Sequence, residues 1–316
     1  MATSKLKAHL WTLGRFFALP FFGVTLLCGA VIAGGSLGDI NVWIGFLAVT
    51  FIMAGGHSFN TLLDTEWTKL DKPDPIAGPF VTGGSTPGVS ASKGYAAGTN
   101  VINSGILTAR EVLANALTWY AIGTIFLAIL AARTTPMVFI PGVAGMLITF
   151  WYSMSKFTTW SHELALAAGT LIAAVMGALS TGTGEWVNAL LVSLPIGLIF
   201  SFAGLALDEY PDAEANLKKG VKSLPYKVWE YGFDLSTYMM VWFIFAYMVQ
   251  TFFISVNILA PLTGLTFILV PPLVGLCVYL KGAYDRPAEF RKLALAIVIV
   301  GAFYPVLLLA GQIAGG

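Results

Sequence analysis

Nine stretches of this chain are each about as long and as apolar as a helix needs to be to cross a bilayer, and that constrains the fold before anything else does. They run roughly over 16–35, 41–63, 112–132, 136–155, 163–183, 187–208, 236–256, 260–280 and 293–312. A helix rising about 1.5 Å per residue crosses the hydrocarbon core in about 20 residues. In lipid the backbone must satisfy its own hydrogen bonds, so such runs fold as helices. The first run is longer than the apolar part of a secretory leader, about 7–15 residues, and is expected to be retained. With 57% hydrophobic and only 10% charged residues, the composition excludes a water-soluble enzyme and a disordered chain alike. The mean hydropathy of +0.80 agrees. The 34 glycines suit helices that approach one another closely in a membrane. Cys28 and Cys277 lie far apart in apolar runs and read as small buried residues, not a disulfide framework. A net charge of +1 gives no bulk attraction for nucleic acid, and none is expected as a partner.

Nine spans fix which loops share a membrane face. Of the 17 Lys and Arg, all but Arg133 then fall on one side. Basic residues concentrate on the cytoplasmic side, so the N-terminus is expected there and the C-terminus opposite, in a cell or inner membrane. The polar chain lies mostly in two segments, 64–111 and 209–235, expected to cap the cytoplasmic mouth of one transmembrane domain spanning 1–316. Of the 16 acidic residues only Asp39 and Glu185 fall on the far side. The positive-inside rule does not demand this of acids. Scattered ones such as Glu111, Glu230 and Glu289 read as wet loop residues, whereas two clusters need their own explanation.

The first cluster ends the second span: Asn60 and Asp64, then Glu66, Asp71 and Asp74. A spacing of four rotates a helix by about 400°, so Asn60 and Asp64 share one face. The second cluster ends the sixth span, where Asp208, Asp212 and Asn216 form a stripe at the same spacing, interrupted by Pro211. Like charges one turn apart repel unless cations fill the stripe. Two oxygen-rich stripes on one membrane face suit Mg²⁺, which takes carboxylate, carbonyl and phosphate oxygens. A diphosphate held by such ions is a good leaving group. Basic residues that would balance it follow each stripe: Lys72 the first, and Lys218, Lys219 and Lys222 the second.

These motifs resemble the two Asp-rich motifs of the UbiA-type intramembrane prenyltransferases, and the nine-span plan is similar too. Within that superfamily the stretch from Glu163 through Met176-Gly177-Ala178 to Thr183-Gly184, then Tyr210-Pro211-Asp212 through Asn216 and Gly220-Val221-Lys222-Ser223-Leu224, is similar to the 1,4-dihydroxy-2-naphthoate polyprenyltransferase branch. So are Gly83-Gly84-Ser85 and Asn103 through Thr108, which lead into Arg110-Glu111. The chain departs from the family pattern at Asn216, where Asp is usual, at Thr61 and at Thr68. The resemblance implies an all-α bundle with a central cavity open toward the cytoplasm. It implies Mg²⁺-dependent transfer of a polyprenyl group from its diphosphate to a lipophilic aromatic acceptor of quinone biosynthesis. Asn60, Asp64, Asp208 and Asp212 would hold two Mg²⁺ ions and carry the catalysis, with Asp71 and Asn216 as lesser ligands and Lys222 on the phosphates. Arg15, Tyr152 and Lys156 are further substrate-binding candidates. Arg15 also fits a snorkelling interfacial cation, and Tyr152 and Lys156 an interfacial belt residue and a charge anchor. His57 fits either a hydrogen-bond partner of the site or helix packing.

Other readings stay open. Within the fold the alternatives are a transferase for another acceptor, such as a phosphoglycerol or sugar, or a terpene cyclase. An ion-coupled transporter would place its ionisable groups near the midplane, whereas these acids gather at one face. A non-catalytic membrane subunit is the remaining alternative, kept open by Asn216.

Overall fold

The computed structural model describes residues 5–15, 19–68, 101–103, 105–158, 161–210, 220–222, 224, 231–284 and 286–316. Among these residues there is no β-strand, and eight long helices and one shorter one lie over the apolar runs. They are α1 (Leu19–Ile32), α2 (Ile40–Trp67), α3 (Ala109–Arg133), α4 (Pro136–Phe157), α5 (Ser161–Ser180), α6 (Trp186–Leu207, reaching Glu209), α7 (Leu235–Ser255), α8 (Pro261–Lys281) and α9 (Pro287–Gly315). Eight of them are long and apolar enough to cross a membrane, so the chain is an integral, multi-pass membrane protein. The described part of α1, with 14 residues, is shorter than a full crossing.

The helix ends are set by local chemistry. The Asp39 side chain accepts from the Asn41 amide at the start of α2, and Asp234 accepts from the Thr237 amide at the start of α7. Burial raises the Asp234 carboxyl, but the Thr237 amide and Lys281 outweigh it and hold the group below its ordinary value. At α3, Thr108 and Glu111 form a reciprocal capping box, and Lys5 pairs with Glu111 at 2.6 Å. Glu111 is therefore a structural cap rather than a loose wet residue. At the opposite end of the bundle Arg133 donates to the Asn41 Oδ1 at 2.6 Å.

Small residues decide how closely the helices pack. Gly29 on α1 and Gly177 on α5 face each other so tightly that a Cβ at either would overlap the partner backbone, at Ala174 and Leu26 respectively. Ala30, Ala173, Ala174 and Ala178 are buried around this crossing. This is the small-residue contact of membrane helices, in which dispersion and close backbone approach replace the hydrophobic effect.

Polar residues lock the end of the bundle away from the acidic clusters. Gln250 on α7 is fully buried; its Nε2 donates to the Thr263 carbonyl, and its Oε1 accepts from Thr266 and Tyr304 at 2.9 and 2.8 Å. Interhelical bonds in membranes contribute about 0.6 kcal/mol each and at most about 1.7. Gln250→Leu, which strips three of them and orphans the Tyr304 hydroxyl, is expected to cost about 1–3 kcal/mol. A lowered unfolding temperature in detergent, with turnover per folded molecule unchanged, is the expected readout. An unshifted temperature would show that the network stabilises nothing.

Candidate functional site

The polar site is built where α2, α4 and α6 end and α5 begins. Helix α2 widens in its last turn, Leu63–Trp67, where the Thr68 amide bonds to the Leu63 carbonyl. Helix α6 widens likewise over Leu198–Gly204, just past Pro195. Such wide turns recur at functional sites because they re-aim the side chains that follow.

Asn60 and Asp64 share one face, as their spacing predicts: the Asn60 Nδ2 donates to the Asp64 Oδ2 at 3.1 Å and to the Ser153 hydroxyl at 2.7 Å. Both are buried. Lys156, from the end of α4, reaches the same Oδ2 at 2.5 Å, with side-chain exposures of 16% for the lysine and 7% for the acid. At that burial Lys156 is a partner of Asp64 inside the bundle end rather than an exposed interfacial charge. Its ammonium also lies 5.2 Å from the centre of the Tyr152 ring. Tyr152 in turn meets the His162 ring edge-on at 5.3 Å.

His162 and Glu163 open α5 and are fully buried. The His162 Nε2 lies 2.6 Å from Glu209, and its Nδ1 3.5 Å from Glu163. One ligand atom from each of His162, Glu163 and Glu209 lies within 4.8 Å of the others, a set able to hold one divalent cation. In the sequence Glu163 stands out only as the start of the family-like segment, and neither His162 nor Glu209 is marked by any motif spacing. The available signal was an ionisable pair at the mouth of an apolar run, where a charge is costly unless used.

A contiguous set of contacts therefore runs from Asn60 and Asp64 through Lys156, Tyr152 and His162 to Glu209, the neighbour of Asp208 in sequence. It joins the ends of the two helices that carry the acidic motifs. Asp208 belongs to the last turn of α6, but its side chain lies outside the described residues, as do Asp71, Asp212 and Asn216 altogether. Lys222 is exposed, and its amide donates to the Lys156 carbonyl at 2.9 Å.

On the other flank the N-terminal segment packs beside the end of α2. Ala8 and Leu13 join Val101, Leu107 and Val112 in a small apolar cluster, and His9 meets Asn115, which accepts from Ser58. Arg15 follows with φ of 47°, a left-handed conformation unusual for a side chain of its size. Its Nε is buried without a hydrogen-bond partner, as is the Nε2 of His57 on α2, and the Arg15 charge acts on His57. Arg15 thus has a buried, unused Nε donor, and the turn of α2 that carries His57 is the element its charge acts on.

The site accommodates a cation. The second oxygen of Asp64, Oδ1, is buried with no hydrogen-bond partner, so half of a desolvated carboxylate is left for a ligand.

These features belong to an all-α membrane bundle with a charged site at one end. The chain belongs to the UbiA prenyltransferase family, whose model matches residues 22–300. It is an enzyme of the prenyl-group transferase kind, and the chemistry of its family is Mg²⁺-dependent prenyl transfer. Solved structures share the fold. A UbiA homologue from Aeropyrum pernix K1 superimposes with a TM-score of 0.63 at 15% identity, covering 95% of this chain and 97% of that one. A structure of digeranylgeranylglyceryl phosphate synthase gives 0.56 at 18% identity, with 98% and 99% covered. A UbiA homologue from Archaeoglobus fulgidus bound to DMAPP and Mg²⁺ gives 0.53 at 15% identity, with 95% and 99% covered. No curated protein matches the chain significantly.

Proposed function

We propose that this chain transfers the prenyl group of an allylic diphosphate to an acceptor outside the dihydroxynaphthoate class, at the cytoplasmic end of the bundle. The observation that carries the diphosphate half is the buried Asp64, bonded to Asn60 and Lys156, with one oxygen left over. Asn60, Asp64, Asp208 and Asp212 would hold two Mg²⁺ ions, with Asp71 and Asn216 at the edge of the set. Ions held there would supply the positive charge that makes the diphosphate a good leaving group. Lys156 and Lys222 add fixed positive charge beside the phosphates. The apolar helices shelter the prenyl chain and keep water from the cation. Tyr152 presents its ring beside Lys156, and Arg15 offers its donor to an acidic group of the acceptor.

Support for the acceptor reading comes from the likeness to digeranylgeranylglyceryl phosphate synthase, whose name points to a glyceryl phosphate. The second reading, an aromatic acceptor like 1,4-dihydroxy-2-naphthoate, rests on the segments from Glu163 to Gly184 and from Tyr210 to Leu224. Purified protein with Mg²⁺, radiolabelled prenyl diphosphates and a panel of both acceptor types separates them by the mass of the lipid product. An EDTA-sensitive product on a glyceryl phosphate is expected. A product on the naphthoate alone would overturn the acceptor assignment, and a cyclised hydrocarbon formed with no acceptor would mark a cyclase.

We also read residues 1–316 as one transmembrane domain of nine spans, α1 being the first, with a cytoplasmic N-terminus. The one-sided basic residues support this. Thiol labelling of Lys93→Cys and Glu185→Cys from the same side of the membrane would contradict it.

A further inference from the structure

Glu163 is fully buried; its Oε2 faces the His162 Nδ1 at 3.5 Å in the three-residue set, while its Oε1 points to a different partner. Burying a carboxylate is costly unless it is held by donors or a cation, and charge-assisted bonds are the strong ones. Its Oε1 accepts the Leu224 amide at 2.7 Å, across a sequence separation of 61 residues. Two residues earlier the Lys222 amide donates to the Lys156 carbonyl. Between the turn at Gly220 (φ of 83°) and these anchors Val221 is buried, and the side chain of Lys222 itself is exposed. Leu224 packs on the main apolar core. The backbone that carries Lys222 is thus tied to the end of α4 and the start of α5, the two helix ends that supply Lys156 and His162.

We propose that Glu163 is a positioning residue, whose buried carboxylate pins the Lys222 loop over the mouth of the site. The proposal rests on the reading of Lys222 as a diphosphate-facing cation, and its test distinguishes this role of Glu163 from that of a ligand in the set with His162 and Glu209. A glutamine keeps an oxygen in the right place for the Leu224 amide, while it is a poor substitute for an anionic Mg²⁺ ligand. An alanine keeps neither.

The test uses the full chain in detergent or lipid discs, with Glu163→Ala, Glu163→Gln and Lys222→Ala. Steady-state kinetics should show Glu163→Ala raising KM for the prenyl diphosphate about tenfold with kcat within about threefold, the pattern of lost uniform binding. Glu163→Gln should recover most of that loss at an unchanged Mg²⁺ requirement. Combining Glu163→Ala with Lys222→Ala should add little to either alone, because both act through one contact. Amide hydrogen exchange read on peptides covering 220–224 should speed up about tenfold in Glu163→Ala and stay near the parent rate in Glu163→Gln, with α1 and α5 unchanged. Exchange that stays slow in Glu163→Ala overturns the proposal, whether or not the parent turns over. So does a Glu163→Gln variant that fails like the alanine and demands more Mg²⁺, which would make Glu163 a ligand. If the parent transfers no prenyl group while the exchange pattern holds, the functional reading fails and the anchoring role of Glu163 stands.

Discussion

Asp64→Asn is expected to lower kcat for prenyl transfer about a thousandfold while leaving the bundle folded. The size follows from what the carboxylate does. A preorganised positive element facing the developing negative charge in a water-poor site, here the cation that Asp64 would hold, is worth about 2.7–4 kcal/mol of transition-state stabilisation. Asp64 is buried, its Oδ2 is bonded to Lys156 and Asn60, and its Oδ1 is unpartnered. An amide in its place keeps the shape but loses the charge that would hold a divalent ion. It also leaves the largely buried Lys156 ammonium without that anionic partner, so a lower unfolding temperature is expected alongside the kinetic loss. Single-turnover rates in saturating prenyl diphosphate separate chemistry from binding. A variant with the parent rate would show that Asp64 and Lys156 form a structural pair and nothing more.

The largest effect on folding is expected from one methyl group. Gly177→Ala places a Cβ against the Leu26 carbonyl, a backbone atom that cannot swing away as a side chain end does. Helices α1 and α5 must move apart, and the buried alanines around them lose contact together. Overpacking of a well-packed core typically costs about 1–3 kcal/mol, and a clash with backbone that has no side-chain end to swing away is expected to exceed that. Gly275→Ala on α8 is the matched comparison, because a Cβ there meets nothing within 4 Å. Removing a glycine from a helix interior stabilises by up to about 1 kcal/mol. Size-exclusion profiles and thermal unfolding should therefore show aggregation or a large loss for Gly177→Ala and a neutral or raised transition for Gly275→Ala. Equal behaviour of the two would mean that the α1–α5 crossing is not the tight contact described.

How much was legible in the sequence follows from which signals are local. Each apolar run became a helix because lipid leaves the backbone no other way to satisfy itself. The four-residue spacing of Asn60 and Asp64 gave their shared face, since one helix turn needs no tertiary information. The Thr108-x-x-Glu111 cap is equally local. What depended on distant segments was not legible. Lys156 read equally well as a surface anchor until the end of α4 was placed against α2. His162, Glu163 and Glu209 come together only because α5 begins where α6 ends. The first span is the weakest match: α1 is described over 14 residues, against the 16–35 read from its apolar run.

The central claim is that both acidic motifs close on one diphosphate. An experimental structure of the protein with Mg²⁺ and a non-reactive prenyl diphosphate analogue tests it most directly. The claim predicts the diphosphate between the ends of α2 and α6, with metal bridging it to Asp64 and Asp212 at about 2.1 Å from each ligand oxygen. Carboxylates of Asp64 and Asp212 more than roughly 15 Å apart, too far to share one diphosphate at such bond lengths, would contradict it.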